Sequence, residues 1–144
     1  MRFPTFIMLH HSLTKDGDTV SWQAIRRFHI EKQGWNDIGY HAGIEQVNGR
    51  PEAFYGRPWS MKAAACKEAD MNDLALHLCI VGNFDLMPPS LETLNFAVRT
   101  VIKPWMETFG IPTTRIVGHH DYAGYKTCPG TMFDLAEFRR LAAA

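Results

Sequence analysis

Hydrophobic positions follow two periods along this chain. The run Phe6-Ile-Met-Leu predicts a strand over residues 5–11 that ends in a histidine pair, His10-His11. Residues 21–32 predict a helix, with Trp22, Ile25, Phe28 and His29 on one stripe behind Ser21, whose hydroxyl can cap free backbone N–H groups. Gly34 stops it. Tyr40 to Val47 predicts a second strand. Asn48-Gly49 is a tight-hairpin signal, with Glu52 to Tyr55 as the returning strand. Residues 60–73 show no single period and predict a loop with a helical turn. Leu74 to Val81 is a nearly continuous apolar run, the pattern of a central strand buried on both faces.

Downstream of Pro88-Pro89, Ser90 can cap a long helix reaching about residue 109. Leu91, Leu94, Val98, Val101, Trp105 and Phe109 share one face of it. Pro104 lacks an N–H and predicts a kink. Gly110 and Pro112 end the helix. Arg115 to Val117 predicts a short strand that delivers a second pair, His119-His120. Asp134 and Glu137 have capping-box spacing for a last short helix. Strands and helices alternate except at one hairpin. The expectation is an α/β fold: one domain over residues 1–144, a central mixed β-sheet flanked by helices, and both histidine pairs at strand ends, where such sheets place their clefts.

Composition narrows the function classes. Lys+Arg and Asp+Glu both total 15, so nothing favours nucleic acid or an anionic membrane as partner. A neutral or zwitterionic substrate fits better. The start, Met1-Arg2-Phe3-Pro4, lacks the charged and apolar regions of a secretory leader. The expectation is a monomer made in the cytosol, although it need not act there. Three cysteines without a leader argue against a disulfide framework. Cys66 and Cys79 sit among apolar neighbours and are expected as buried thiols. Cys128 lies in a polar loop.

That loop carries the chemistry. Gly118-His119-His120-Asp121 and Lys126-Thr127-Cys128-Pro129-Gly130, together with His10-His11, offer two imidazoles and a thiolate. Zinc favours those ligands, and a catalytic zinc keeps three of them and one open position. The candidates are His10 or His11, His119 or His120, and Cys128. Neighbouring strand residues point to opposite faces, so one histidine of the first pair can face a metal while the other hydrogen-bonds elsewhere. The spacing is not that of a Cys-x-x-Cys finger, which favours an open site. His41 is expected as a buried structural residue and His29 as a packed one. Asp121 can hydrogen-bond a ligand imidazole or cap its loop.

Four segments occur in a telling order: the strand ending His10-His11-Ser12, then Gly34-Trp35-Asn36-Asp37-Ile38-Gly39-Tyr40-His41, the strand ending Ile80-Val81-Gly82-Asn83-Phe84, and Gly118-His119 through Cys128-Pro129-Gly130. Together they resemble the zinc-dependent N-acetylmuramoyl-L-alanine amidases, the domain shared with phage amidase-type lysozymes and peptidoglycan recognition proteins. The likeness runs from about residue 5 to residue 138. It implies His10, His119 and Cys128 as zinc ligands, and Tyr40 and Lys126 as catalytic residues. It implies cleavage of the amide between N-acetylmuramic acid and the L-alanine of the stem peptide, with peptidoglycan or muropeptides as substrate and endolysin-like lysis as the role.

Two departures bear on the substrate subsite. Family members often carry Ala-His before the central strand; here Ala63-Ala64-Ala65-Cys66 stands there, and the histidine is missing at Ala65. The central strand usually reads Ser-Ile/Leu-Gly-Ile; here it is Ala75-Leu76-His77-Leu78, with His77 in place of glycine. His77 is therefore a candidate substrate contact or a histidine packed on the sheet. Trp35, Tyr55, Trp59 and Tyr122 are aromatic candidates that either stack on sugar or peptide or pack their own loops, and Arg57 either pairs with a stem-peptide carboxylate or is a solvated rim charge. The alternatives are a peptidoglycan-binding module without catalysis, a cytosolic muropeptide-recycling amidase, and a structural zinc site completed by His11 or His120.

Overall fold

A computed structural model describes residues 2–13 and 21–144. Five strands form one sheet: β1 (Phe6–His11), β2 (Ala42–Val47), β3 (Arg50–Tyr55), β4 (Ala75–Ile80) and β5 (Ile116–Gly118), in the order β3-β2-β4-β1-β5. The β2–β3 pair is antiparallel and turns at Asn48-Gly49, where both residues have positive φ. The β2–β4, β4–β1 and β1–β5 pairs are parallel. The sheet is mixed, as the single hairpin among alternating elements requires.

Strand alternation sorts the two faces. Ile7, Leu9, Ala42, Ile44, Leu76, Leu78, Ile80 and Ile116 share one core with the helical segment after Pro89 and with the last helix. Met8, Ala75 and Val117 point the other way, against Cys66 and Met71. Cys79 joins Trp22 and Ile38 on that second face. Each fully buried aliphatic side chain contributes roughly 1.5–3 kcal/mol. β4 is buried at all six positions, which is why its sequence lacks alternation.

Helix α1 (Trp22–Glu31) begins at Ser21, whose side chain accepts the Ala24 N–H. Trp22 lies flat on the sheet because residue 43 is glycine: a Cβ there would stand 2.2 Å from the indole ring. A short turn, α2 (Met71–Leu74), precedes β4. The predicted long helix is present in three parts: α3 (Leu91–Ala97), capped by Ser90, a π-helical turn (Val98–Ile102), and α4 (Lys103–Phe109). The widened turn lies just ahead of Pro104, whose ring would otherwise press on the carbonyl one turn back. Gly110, at φ 67°, ends α4. Asp134 caps α5 (Leu135–Ala143) through the Glu137 N–H. Among the described residues, no helix is long and apolar enough to cross a membrane.

Candidate metal centre and cleft

The two histidine pairs separate as strand geometry demands. In β1, His10 follows Met8 onto the second face. His11 turns to the other, where its Nδ1 accepts the Phe84 N–H at 3.0 Å. Parallel pairing of Leu9 with Gly118 brings the ends of β1 and β5 together. His119 opens the 3-10 turn that follows β5, and its ring centroid lies 4.8 Å from that of His10. The His120 N–H donates to the Cys128 carbonyl at 2.8 Å, closing the loop on itself. The Asp121 carboxylate accepts the Gly118 N–H at 2.9 Å and so caps this turn.

These constraints gather His10, His119 and Cys128, all buried, with their donor atoms within 4.8 Å of one another. His10 Nδ1 and Cys128 Sγ are 3.6 Å apart. Burial, reinforced by Lys126, pushes His119 down to about 4, and burial with neighbouring histidines holds His10 well below the imidazole range. Both rings are neutral at pH 7, with a lone pair to offer. Burial pushes the Cys128 thiol up to about 12, although the His11 N–H at 3.3 Å and Lys126 favour its thiolate. A thiophilic divalent cation would have to displace that proton.

Two imidazoles and a thiol are a zinc donor set, and three ligands leave a position open. Neither His11 nor His120 completes a closed site: His11 faces away, and His120 is exposed beside Asp121 at 3.3 Å. Among the described residues, a second donor group, Cys66 with Glu68, borrows the same His119.

The group opens into a cleft of about 580 Å³. Tyr40 forms one wall, its ring 5.2 Å from that of His10, and its hydroxyl engages Cys79. Burial, with Cys79 and Cys128 adjoining, raises that hydroxyl well above the ordinary phenol range. Trp35 also lines the cleft, packed on His29 at 4.7 Å, and Lys126 lies at its lip. Ala65 is part of the opposite wall.

Five candidate substrate contacts lie outside that lining. His77 is fully buried, with Nδ1 facing His10 and Nε2 facing the Met71 carbonyl, so it has no free edge for a substrate. Arg57 donates to the carbonyls of Ile38 and Lys62, tying two loops together. Trp59 packs on Phe109 and Phe3. Tyr122 meets the ring of Phe6 edge-on. Tyr55 is exposed at the end of β3. His41 is buried, as expected, and its Nδ1 accepts the His77 N–H.

Sequence reasoning missed Asp85. Its carboxylate accepts the Thr127 hydroxyl at 2.9 Å and the Thr131 N–H at 2.8 Å, strapping the cysteine loop to the segment after β4. An acidic residue 42 positions away, just before Pro88-Pro89, gave no local signal of that role. It also missed His29 as part of the cleft; its Nδ1 holds the Gly39 N–H at 2.9 Å, fixing the turn that presents Tyr40.

The sequence matches the profile of the N-acetylmuramoyl-L-alanine amidase family over residues 1–131. The chain belongs to this family. Among curated relatives, the endolysin of Enterobacteria phage K11 is 33% identical over 135 residues, covering 88% of this chain and 80% of that protein. The endolysin of Enterobacteria phage T3 is 31% identical over 137 residues, covering 90% and 81%. Among solved structures, the N-acetylmuramoyl-L-alanine amidase LysC from Clostridium intestinale superposes with a TM-score of 0.81 at 23% identity, over 96% of this chain and 85% of that one. Drosophila PGRP-LB, solved with tracheal cytotoxin, gives 0.76 at 23% identity, over 95% and 81%. The mixed sheet flanked by helices is thus the amidase fold.

Proposed function

We propose that this amidase hydrolyses the bond between the lactyl group of N-acetylmuramic acid and the L-alanine of the peptidoglycan stem peptide, using zinc held by His10, His119 and Cys128. The observation that carries this reading is the convergence of those three donors on an open cleft in a chain of this family. Endolysin relatives aligned over most of both chains favour wall lysis as the role, with the wall reached after release from the cell. A binding module without catalysis would not need to keep all three donors beside a lysine and a tyrosine.

An amide is a poor electrophile; zinc in this site would supply Lewis-acid polarisation and a more acidic water. The protein supplies the rest. The Lys126 ammonium at the lip stabilises negative charge on the amide oxygen as the carbon becomes tetrahedral. Tyr40 stays protonated at neutral pH, and a turn of its hydroxyl from Cys79 into the cleft lets it orient the attacking water or pass a proton toward the leaving nitrogen. Trp35 offers an apolar wall for a sugar ring or the lactyl methyl. Ala65, where the family often has histidine, widens the opposite wall and leaves proton delivery to Tyr40 and Lys126.

A soluble muramyl peptide tests this directly. Incubation should release a peptide with a free L-alanine amino group. Activity should vanish with a chelator and return with zinc. Intact substrate under every metal condition, with binding retained, would favour the non-catalytic module.

A further inference from the structure

Behind the donor group, on the side of His10 away from the cleft, two imidazoles meet. His10 Nε2 lies 2.8 Å from His77 Nδ1, and His77 Nε2 lies 2.8 Å from the Met71 carbonyl oxygen. These contacts assign every ring hydrogen. A carbonyl only accepts, so His77 Nε2 carries the hydrogen. A neutral imidazole has one N–H, so His77 Nδ1 is an acceptor. His10 Nε2 must then be the donor. The lone pair of His10 is left on Nδ1, the nitrogen 3.6 Å from Cys128 Sγ.

We propose that His77 is a positioning residue for the metal centre: the chain from the Met71 carbonyl through His77 to His10 fixes the tautomer and ring orientation that present His10 Nδ1 to the ion. This rests on the zinc-dependent reading above.

The surroundings make the device rigid. His77 is fully buried and sits in β4 opposite Met8, so it flanks His10 on the same face of the sheet. Its own backbone N–H donates to His41 Nδ1 at 3.0 Å, and the His41 Nε2–H donates to the Met61 carbonyl at 2.8 Å. The ring chain itself ends in the Met71 carbonyl, an acceptor that cannot reverse its direction. An acceptor on the far nitrogen of a ligand histidine typically strengthens metal binding about 10–100-fold.

The test uses zinc affinity and tautomer spectra rather than turnover. His77→Leu removes the acceptor, and its zinc affinity should fall by about 10–100-fold. His77→Gln can accept from His10 with its amide oxygen and donate to Met71 with its amide nitrogen, and should recover most of that loss. Long-range proton–nitrogen NMR of the metal-free wild type should find His10 protonated on Nε2. Finding His10 protonated on Nδ1 would overturn the proposal whatever the variants do. Unchanged affinity in His77→Leu, beside tight binding by the wild type, would overturn it alone. Failure of the wild type to take up zinc would overturn this proposal and the metal-dependent reading together.

Discussion

The backbone N–H of His11 donates to Cys128 Sγ at 3.3 Å, across 117 residues of sequence. The same strand end thus sends one histidine side chain toward the donor group and steadies the thiolate with the next residue's amide. Cys128→Ser should lower zinc affinity by more than the roughly hundredfold that an outer hydrogen-bond partner is worth. Peptidoglycan turnover should fall with it. Far-ultraviolet circular dichroism should not change, since the loop keeps its hydrogen bonds to His120 and Asp85. Wild-type zinc content in this variant would remove Cys128 from the ligand set.

Lys126 and Tyr40 should separate from the ligands by their kinetics. Each loses an interaction with the reacting group rather than with the ion. Lys126→Ala should reduce kcat by about 10²–10³-fold, or about 3 kcal/mol, the usual worth of one donor to a developing oxyanion. Tyr40→Phe should also lower kcat. Both variants should retain full zinc occupancy by atomic absorption. Near wild-type kcat in both would leave the proposed proton and charge roles without residues.

Buried neutral histidines set the acid limit of the fold. His41 is held at about 4 against an ordinary 6.5, chiefly by burial and further by Arg2 and Arg57, with the Met61 carbonyl opposing. A depressed histidine leaves the native chain with fewer bound protons than the unfolded chain below pH 6.5. Stability should therefore be intact above that pH and decline as pH falls from 6.5 toward 4. His41 alone accounts for up to roughly 3 kcal/mol of that loss. Urea unfolding of the metal-free protein at pH 7, 5.5 and 4.5 reads the slope. His41→Asn should flatten it; an unchanged slope would assign the decline to other groups.

Gly43 answers for the seat of Trp22. A Cβ there falls 2.2 Å from the indole. Gly43→Ala should destabilise the protein by about 1–3 kcal/mol through overpacking and lower Tm by several degrees. Zinc affinity should be nearly unaffected, because the metal donors come from β1 and the loop after β5. A Tm equal to wild type would mean that Trp22 moves aside freely.

The fold and donor group were legible where a local pattern carried them. Strand alternation separates His10 from His11, and the family resemblance picks His10. The unbroken apolar run around Leu76 and Leu78 marks the central strand, and Pro104 marks the disturbed helix. What stayed hidden depended on partners distant in sequence. His77 could be read as a substrate contact or as a histidine packed on the sheet; it is packed, and its partners, a ring 67 positions away and the carbonyl of Met71, could not be named from the sequence. Trp59 and Tyr122 have the composition of stacking residues, but their rings are spent on Phe109 and Phe6. Arg57 has the charge for a carboxylate but turns it toward two backbone carbonyls. Polar atoms satisfied by backbone groups leave no trace in composition or period.

Digestion of purified peptidoglycan, with products identified by mass spectrometry, tests the central claim most directly. The account predicts intact glycan strands, free stem peptides with new L-alanine amino termini, and abolition by chelation with recovery on adding zinc. Release of new reducing sugar ends, or cleavage that persists without metal, would contradict it.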